Sequence, residues 1–187
     1  MKLVHICGVD GAGKSTIINQ LKTIYPSSTF IKEPHNPTLI ELINSSTDPV
    51  ERAILFNKDR QLLYNELSSN PPQLLISDRS FICNIVYQSL ELTDQLPIDS
   101  IHYLYNLNRN IPQPTHVIYL TTSPYIIANR INSRPNETSP TYHTIRQIQN
   151  RYELVFTLLN ITPLIIDTTT TTNINTLITY INNTNHH

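Results

Sequence analysis

Residues 4–16 read VHICGVDGAGKST: an apolar run, then a glycine-rich turn, then the start of a run that favours a helix. Gly8 and the triplet Gly13-Lys14-Ser15 stand at the spacing of a phosphate-binding loop. The glycines let backbone N–H groups converge on one point, because side chains would block that approach. A helix that begins near Gly13 directs the positive end of its dipole at the same point. We therefore expect Lys14 to contact the outer phosphates of a nucleotide and the Ser15 hydroxyl to hold Mg²⁺.

Composition and charge narrow the class of protein. The chain has 187 residues, of which 39% are hydrophobic, enough for a single domain spanning 1–187 with a sizeable core. The net charge of −1 gives no basic surplus for nucleic acid or an anionic membrane, and no apolar run is long enough to span a bilayer. Cys7 and Cys83 are too few for a disulfide framework, and the loop begins too early to leave room for a signal peptide. These features predict a cytoplasmic protein.

Strand and helix signals alternate along the rest of the chain. Short apolar runs predict strands at residues 3–7, 29–32, 74–77, 117–120 and 164–166. Helical spacing and end signals predict helices at 15–24, 39–43, from 49 onward, 81–92, 100–107, 124–132, 141–159 and 174–181. This alternation requires a parallel sheet covered on both faces. The predicted fold is the three-layer α/β fold of P-loop NTPases with a five-stranded parallel sheet.

Three segments carry more specific expectations. In the long helix from residue 49, a buried stripe is predicted from the apolar side chains Ile54, Leu55, Leu62, Leu63 and Leu67. Residues 133–141 are polar and interrupted by proline, which predicts a short mobile lid. The threonine run at 168–172 follows a strand, so it is either a loop on the ligand side of the sheet or a solvated turn.

A second chemical signal ends the third predicted strand, where the apolar run is followed by Asp78-Arg79. P-loop folds place a carboxylate that orients Mg²⁺ at the end of such a strand, which favours Asp78 for that role. Arg79 comes next, and its planar fork of donors suits a phosphate group. We therefore predict that Asp78 and Arg79 face the same cleft as Lys14.

Four motifs in the right order make the chain similar to the thymidylate kinase family. The loop from Gly8 to Thr16 resembles that family's phosphate loop, including its aspartate, and Lys32-Glu33-Pro34 stands where the family has Arg-Glu-Pro. The helical segment LFNKDR at 55–60 resembles its Leu-Phe-x-x-x-Arg helix, and DRSFICNIVYQ at 78–88 resembles its Asp-Arg block. The resemblance covers most of the chain. It implies ATP-dependent phosphoryl transfer to dTMP with Mg²⁺, by a homodimer.

The resemblance also implies roles for individual residues. Phe56 resembles the ring that stacks on the acceptor base, Arg60 the arginine that bonds a base carbonyl, and Asn84 with Tyr87 the pair that reads the base edge and the sugar. Asp10 and Arg79 resemble the groups at the acceptor's sugar and phosphate, and Glu33 is placed with them. The expected ATP-binding residues are those of the loop together with an arginine near the lid: Gly8, Val9, Asp10, Gly11, Ala12, Gly13, Lys14, Ser15, Thr16 and Arg130.

The chain departs from the family pattern at several of these positions. Gly11 stands where some members carry a catalytic arginine. The positive charge that stabilises the transferring phosphoryl group must therefore come from another residue. The lid is shortened, and Arg134 within it is the expected transition-state arginine. Arg146 and Arg151 are the alternatives, and Lys32 in place of arginine weakens a bidentate contact.

Two other functions compete with dTMP phosphorylation. Glu33-Pro34 and Asp78-Arg79-Ser80 also resemble deoxynucleoside kinases, whose neutral 5′-hydroxyl acceptor needs a carboxylate base, and Glu33 is that base in this alternative. A phosphate acceptor is already largely anionic near pH 7, so a monophosphate kinase needs no such base. The other alternative is a non-catalytic nucleotide-binding protein that has kept its loop.

Overall fold

A computed structural model describes residues 1–92, 97–170 and 174–183. Its five strands form one parallel sheet in the order β2-β3-β1-β4-β5. In chain order, the strands are β1 (Lys2–Cys7), β2 (Thr29–Lys32), β3 (Leu74–Asp78), β4 (His116–Thr121) and β5 (Leu164–Asp167). The predicted five-stranded parallel sheet is confirmed, and β1 with its phosphate loop lies at its centre.

Eight helices cover the sheet in the described part of the chain. They are α1 (Lys14–Ile24), α2 (Pro37–Ser45), α3 (Pro49–Ser68), α4 (Phe81–Leu92), α5 (Pro97–Asn108), α6 (Pro124–Asn132), α7 (Tyr142–Leu158) and α8 (Ile174–Asn182). The predicted bounds of α4 and β2 match, while α2 begins two residues before its predicted start. The predicted start of α5 is wrong by three residues, since this helix already begins at Pro97.

The two faces of the sheet bury separate apolar clusters. One cluster joins strand residues such as Ile6 and Ile76 to α1 and α8. The other joins Leu3 and Leu75 to helices on the opposite face, where α4 packs against α3, α5 and α7. Side chains alternate between faces along each strand, so neighbouring residues enter different cores. This is the three-layer arrangement of the P-loop NTPase fold.

Helix ends follow the capping signals in the sequence. Asp48, Ser123 and Thr141 each accept a backbone N–H in the first turn of the helix that follows. A proline occupies the first helical position after Asp48 and after Ser123, where no backbone donor is lost. Residues 133–141 form an exposed connection between α6 and α7. No helix in the described ranges is both long and apolar enough to cross a membrane.

The predicted buried stripe of α3 is wrong for two of its five residues. Leu63 is buried, but Ile54 is 49% exposed and Leu62 is 38% exposed. The inward face of this helix instead carries three polar side chains, Asn57, Asp59 and Arg60, which are all buried. Apolar spacing misplaced the face because the helix lies against a polar network, described below, rather than against a continuous apolar core.

Candidate functional site

A cavity of about 810 Å³ lies at the carboxyl ends of the central strands. In a parallel sheet this edge is where ligands bind. The predicted residues that line the cavity come from the loop, the end of β3 and the region around the lid: Asp10, Gly11, Gly13, Lys14, Ser15, Thr16, Asp78, Arg79, Arg130 and Arg134. The phosphate loop, the Asp78-Arg79 pair and the arginines near the lid are thus brought together around one space, while Gly8, Val9 and Ala12 lie outside its lining.

The loop backbone is held in a shape that requires glycine at Gly8. Its φ is +147°, and an added Cβ would lie 2.5 Å from the Leu120 carbonyl oxygen of β4. That carbonyl is backbone and cannot move away, so a side chain is excluded. The Gly8 carbonyl also accepts the hydroxyl of Tyr152 at 3.3 Å, so α7 supports the loop from behind.

Lys14 is buried and folds back over the loop. Its Nζ donates to the carbonyl oxygens of Gly8 at 2.9 Å and Val9 at 3.1 Å, and it pairs with Asp10 at 3.3 Å. The ammonium is therefore held at the cavity by the loop's own oxygens. Phosphate oxygens offer stronger partners in the same position, since charge-assisted hydrogen bonds exceed neutral ones.

Ser15 and Asp78 line both this cavity and an adjoining one of about 280 Å³. The Asp78 Oδ1 atom is buried without a hydrogen-bond partner in the described part of the chain. A buried acceptor without a partner calls for a water or a cation. One carboxylate and one hydroxyl suit Mg²⁺, which is held by few protein oxygens and completes its shell with water and phosphate. The residues present therefore fit this ion.

Arg79 and Asp10 form an ion pair at the cavity. Arg79 has a φ of +75°, and its Nη2 donates to Asp10 Oδ1 at 2.6 Å. Burial works to raise the pKa of Asp10, but the charges of Arg79 and Lys14 outweigh it and hold that pKa below its usual value. Burial raises the pKa of Tyr87, and the Asp10 carboxylate adds to that rise.

The residues predicted to read the acceptor base lie deeper, outside the lining of the 810 Å³ cavity. Arg60 is 1% exposed, and its Nε donates to Glu33 at 2.6 Å. Burial raises the pKa of Glu33, although the Arg60 guanidinium opposes that rise. Asn84 is buried, and in the described residues neither its oxygen nor its nitrogen has a partner. Phe56 is half-buried and, among the described residues, belongs to neither apolar cluster.

Arg130 joins the phosphate loop to the threonine run on one side of the cavity. Its guanidinium donates to the Gly11 carbonyl at 3.3 Å, to Thr168 Oγ1 at 3.1 Å and to the Thr168 carbonyl at 2.6 Å. Thr168 is buried, and its hydroxyl donates to the Ala12 carbonyl at 3.0 Å. Thr168 and Thr170 line the cavity, so the threonine run lies on the ligand side as far as residue 170, while residues 171–172 lie outside the described part.

The three candidate lid-side arginines occupy different surroundings. Arg134 is exposed at the cavity and pairs with Glu137 at 3.0 Å. Arg146 is exposed on α7, whereas Arg151 is buried and donates to Ser89 of α4 at 2.9 Å. Of the three, Arg134 is the one that lines the cavity.

Sequence reasoning missed several residues of the site. Gln20 lines the cavity, and Asn108 contacts Arg60 from α5; Lys32, noted in the sequence for its motif, also lines the cavity. Lys32 is paired in register with Asp78 on the adjacent strand, a neighbour that the strand order alone would have revealed. Asn108 carries no local signal, because its contact is made 48 residues away in the chain.

Comparisons with known proteins agree on one family. A sequence model described as thymidylate kinase matches residues 6–177. The thymidylate kinase of Aliarcobacter butzleri is 30% identical over 173 residues, covering 88% of this chain and 89% of the bacterial protein. A probable thymidylate kinase of Sulfolobus acidocaldarius is 29% identical over 166 residues, covering 81% of each chain. The solved thymidylate kinase of Candida albicans, 23% identical, superposes with a TM-score of 0.75 over 95% of this chain and 88% of its own, which supports the fold.

Proposed function

The chain belongs to the thymidylate kinase family, and from that premise we propose that it transfers the γ-phosphoryl group of ATP to dTMP, giving dTDP and ADP. As a nucleoside monophosphate kinase it is an enzyme, which excludes the non-catalytic alternative. The observation that carries the proposal is the convergence of Lys14, Asp78 and Arg79 on one cavity. Phosphoryl transfer depends on placement and charge more than on covalent chemistry, and this cavity supplies both.

On the donor side, the loop amides and Lys14 bind the ATP phosphates. Lys14 leaves the Gly8 and Val9 carbonyls and turns to the phosphate oxygens, which carry more charge. Ser15 and Asp78 would hold a Mg²⁺ ion, which would neutralise the negative charge that develops on the phosphates. Arg130 donates to the Gly11 carbonyl of the loop and lines the cavity, which supports its place among the ATP-binding residues. Arg134, exposed at the cavity, supplies charge to the transferring group.

On the acceptor side, Arg79 binds the phosphate of dTMP. The Asp10–Arg79 bond at 2.6 Å must open or be shared when this phosphate arrives. Because the acceptor phosphate is already largely ionised near pH 7, no carboxylate has to take a proton from it. Asp10, relieved of Arg79, is free to accept a hydroxyl of the sugar.

The base of dTMP binds among Phe56, Arg60, Asn84 and Tyr87. Asn84 is buried with both polar atoms unused in the described part of the chain, which costs stability unless a ligand or water bonds them. The amide offers an NH₂ group that donates and a carbonyl oxygen that accepts, the two kinds of partner that the edge of a pyrimidine base requires. The half-buried Phe56 ring offers a stacking surface, a contact worth about 1–3 kcal/mol per base.

The deoxynucleoside kinase alternative requires Glu33 to act as a base. Glu33 is 3% exposed and bonded to Arg60, and Ser77 Oγ also lies at 3.5 Å. The Glu33 carboxylate is thus already engaged by Arg60, and as a base it would have to give up this ion pair to take a proton from a 5′-hydroxyl. Comparing turnover of dTMP with that of thymidine, using purified protein, ATP and Mg²⁺, separates the two reactions.

The mutational test of the proposal is Arg79→Ala. We expect kcat/KM for dTMP to fall by about 100-fold or more, since a charge-assisted bond to a phosphate is lost at the reacting end. Arg109→Ala removes an exposed arginine outside the cavity lining and serves as the control. Turnover and apparent dTMP affinity that survive in the Arg79 variant would contradict the proposed role.

We also propose a homodimer and a cytoplasmic location. Apolar side chains remain exposed on α2 and α3, with Leu42 at 47%, Ile54 at 49% and Leu62 at 38%. A second copy of the chain would cover this face, in line with the dimer that the family resemblance implies. Both cysteines are free and buried, which suits a reducing compartment.

A further inference from the structure

Asn108 closes α5 and is buried at 1% exposure beside the helix that carries Arg60. Its Oδ1 accepts Arg60 Nη1 at 2.5 Å and Asn57 Nδ2 at 3.3 Å. Its own Nδ2 donates to the Leu104 carbonyl at 2.7 Å. One amide therefore satisfies a carbonyl near the end of α5 and binds two side chains of α3.

The orientation of this amide is fixed by its partners. The Leu104 carbonyl can only accept, whereas the Arg60 guanidinium can only donate. Turning the amide over would set its NH₂ group against two donors and its oxygen against a carbonyl. Asn57 is also held in place by hydrogen bonds. Its Oδ1 accepts one from Gln61 Nε2 at 2.9 Å, and its Nδ2 donates one to the Leu107 carbonyl at 2.7 Å.

Arg60 is consequently held at two nitrogens from two sides. Glu33 binds Nε at 2.6 Å and supplies the opposite charge, and Asn108 binds Nη1 without adding charge. The remaining nitrogen, Nη2, makes no hydrogen bond in the part of the chain that the structure describes. A planar guanidinium fixed at two of its nitrogens presents the third in a set direction.

We propose that Asn108 is a positioning residue that sets the choice of acceptor base by holding Arg60 so that its free nitrogen meets a carbonyl oxygen. The inference rests on the proposed function, since it assigns a determinant of that same site. A pyrimidine with a 4-carbonyl group gives the fixed donor an acceptor, whereas a 4-amino group sets donor against donor. Rejection of the amino base requires a donor that cannot turn away, because a loose guanidinium would simply rotate.

The test compares wild-type enzyme with Asn108→Leu and Asn108→Asp at saturating ATP. For each, kcat/KM is measured with dTMP and with dCMP. We expect Asn108→Leu to lower the dTMP-to-dCMP ratio by about tenfold, mainly through a higher KM for dTMP, as loss of one hydrogen bond to a charged group predicts. The KM for ATP stays unchanged. Asn108→Asp keeps an acceptor oxygen toward Arg60 but sets its second oxygen against the Leu104 carbonyl, so we expect it to retain most of the selectivity at a cost in stability.

Two controls separate positioning from general damage. Asn106→Leu changes an exposed asparagine on the same helix and leaves the ratio as in wild type. If Asn108→Leu does not fold, Asn108→Ala removes the same oxygen without adding bulk.

The possible outcomes distinguish this inference from the proposed function. An unchanged ratio in the folded Leu or Ala variant, or an equal loss for dTMP, dCMP and ATP, overturns the role of Asn108 alone. A wild-type enzyme that does not phosphorylate dTMP overturns the proposed function and this inference with it. A lowered ratio with an unchanged KM for ATP supports both.

Discussion

At the scale of single residues, the site is built from contacts between distant parts of the chain. Lys14, Asp78 and Arg79 could be predicted, because each belongs to a local motif whose chemistry is legible in a few neighbouring letters. Thr168 and Asn108 could not, since their partners lie 156 and 48 residues away. Hydrophobic periodicity describes one segment at a time and carries no information about which threonine meets which carbonyl.

Thr168 gives a residue-scale prediction for the donor side. Thr168→Val keeps the shape but removes the hydroxyl that bonds Ala12 and accepts Arg130. We expect KM for ATP to rise by about three- to tenfold, equivalent to one hydrogen bond of about 1 kcal/mol, with KM for dTMP little changed. Steady-state kinetics with each substrate varied in turn measures this.

The neighbouring Thr169→Val is the matched control, because the Thr169 hydroxyl bonds Asp167 and Thr122 rather than the loop. A rise in KM for dTMP as large as that for ATP would show that Thr168 does not act on the donor side.

At the scale of elements, capping residues and prolines predicted where helices such as α3 and α6 begin. Apolar spacing did not predict which side of α3 faces the interior. Asp48 and Pro49 mark where this helix begins, since both act within one turn. Which side faces inward depends on what lies opposite, and α3 lies opposite Glu33 and Asn108. Asn57, Asp59 and Arg60 therefore face inward, although apolar spacing predicted that leucine and isoleucine side chains would do so.

Adjacent leucines on α3 give a prediction with an internal control. Leu63 is 3% exposed, and Leu63→Ala removes buried methyl groups and leaves a cavity, so we expect a loss of about 2–4 kcal/mol in the free energy of unfolding. Leu62 is 38% exposed, so we expect Leu62→Ala to change the free energy of unfolding of the monomer by no more than about 0.5 kcal/mol. Denaturant titration in dilute protein measures both. Equal losses would contradict the orientation of the helix.

At the scale of the whole molecule, the order of the strands brings distant motifs to one edge of the sheet. The loop of β1 lies beside β3, whose end carries Asp78 and Arg79, so Lys14 and this pair face the same cavity. The alternation of strands and helices predicted that all carboxyl ends lie at one edge, because the strands of a covered parallel sheet run the same way, but it did not predict the order of the strands. Exposed apolar side chains on α2 and α3 are left without a partner in the described structure.

The proposed homodimer gives the prediction for the whole molecule. Ile54→Glu places a charge at an exposed apolar position of α3. We expect it to shift the protein from dimer to monomer, because burying an unpaired carboxylate at an interface costs several kcal/mol. Size-exclusion chromatography with light scattering gives the mass directly. Lys22→Glu changes charge at an exposed position of α1, on the other side of the sheet, and tests whether charge alone is responsible. A wild-type protein that is monomeric at micromolar concentration would contradict the dimer.

The bonds that Lys14 and Arg79 make within the loop have a consequence for how substrates bind. Lys14 and Arg79 already donate hydrogen bonds to oxygen atoms of the protein. The phosphates of a nucleotide must therefore replace these oxygens in order to bind. Measured affinities then report the difference between external and internal ligands. Removing the Asp10 carboxylate would remove the oxygen that competes with phosphate for Arg79, so phosphate would bind more tightly. Arg79 would then be less ordered between turnovers. Tight binding and fast turnover therefore place opposite requirements on Asp10.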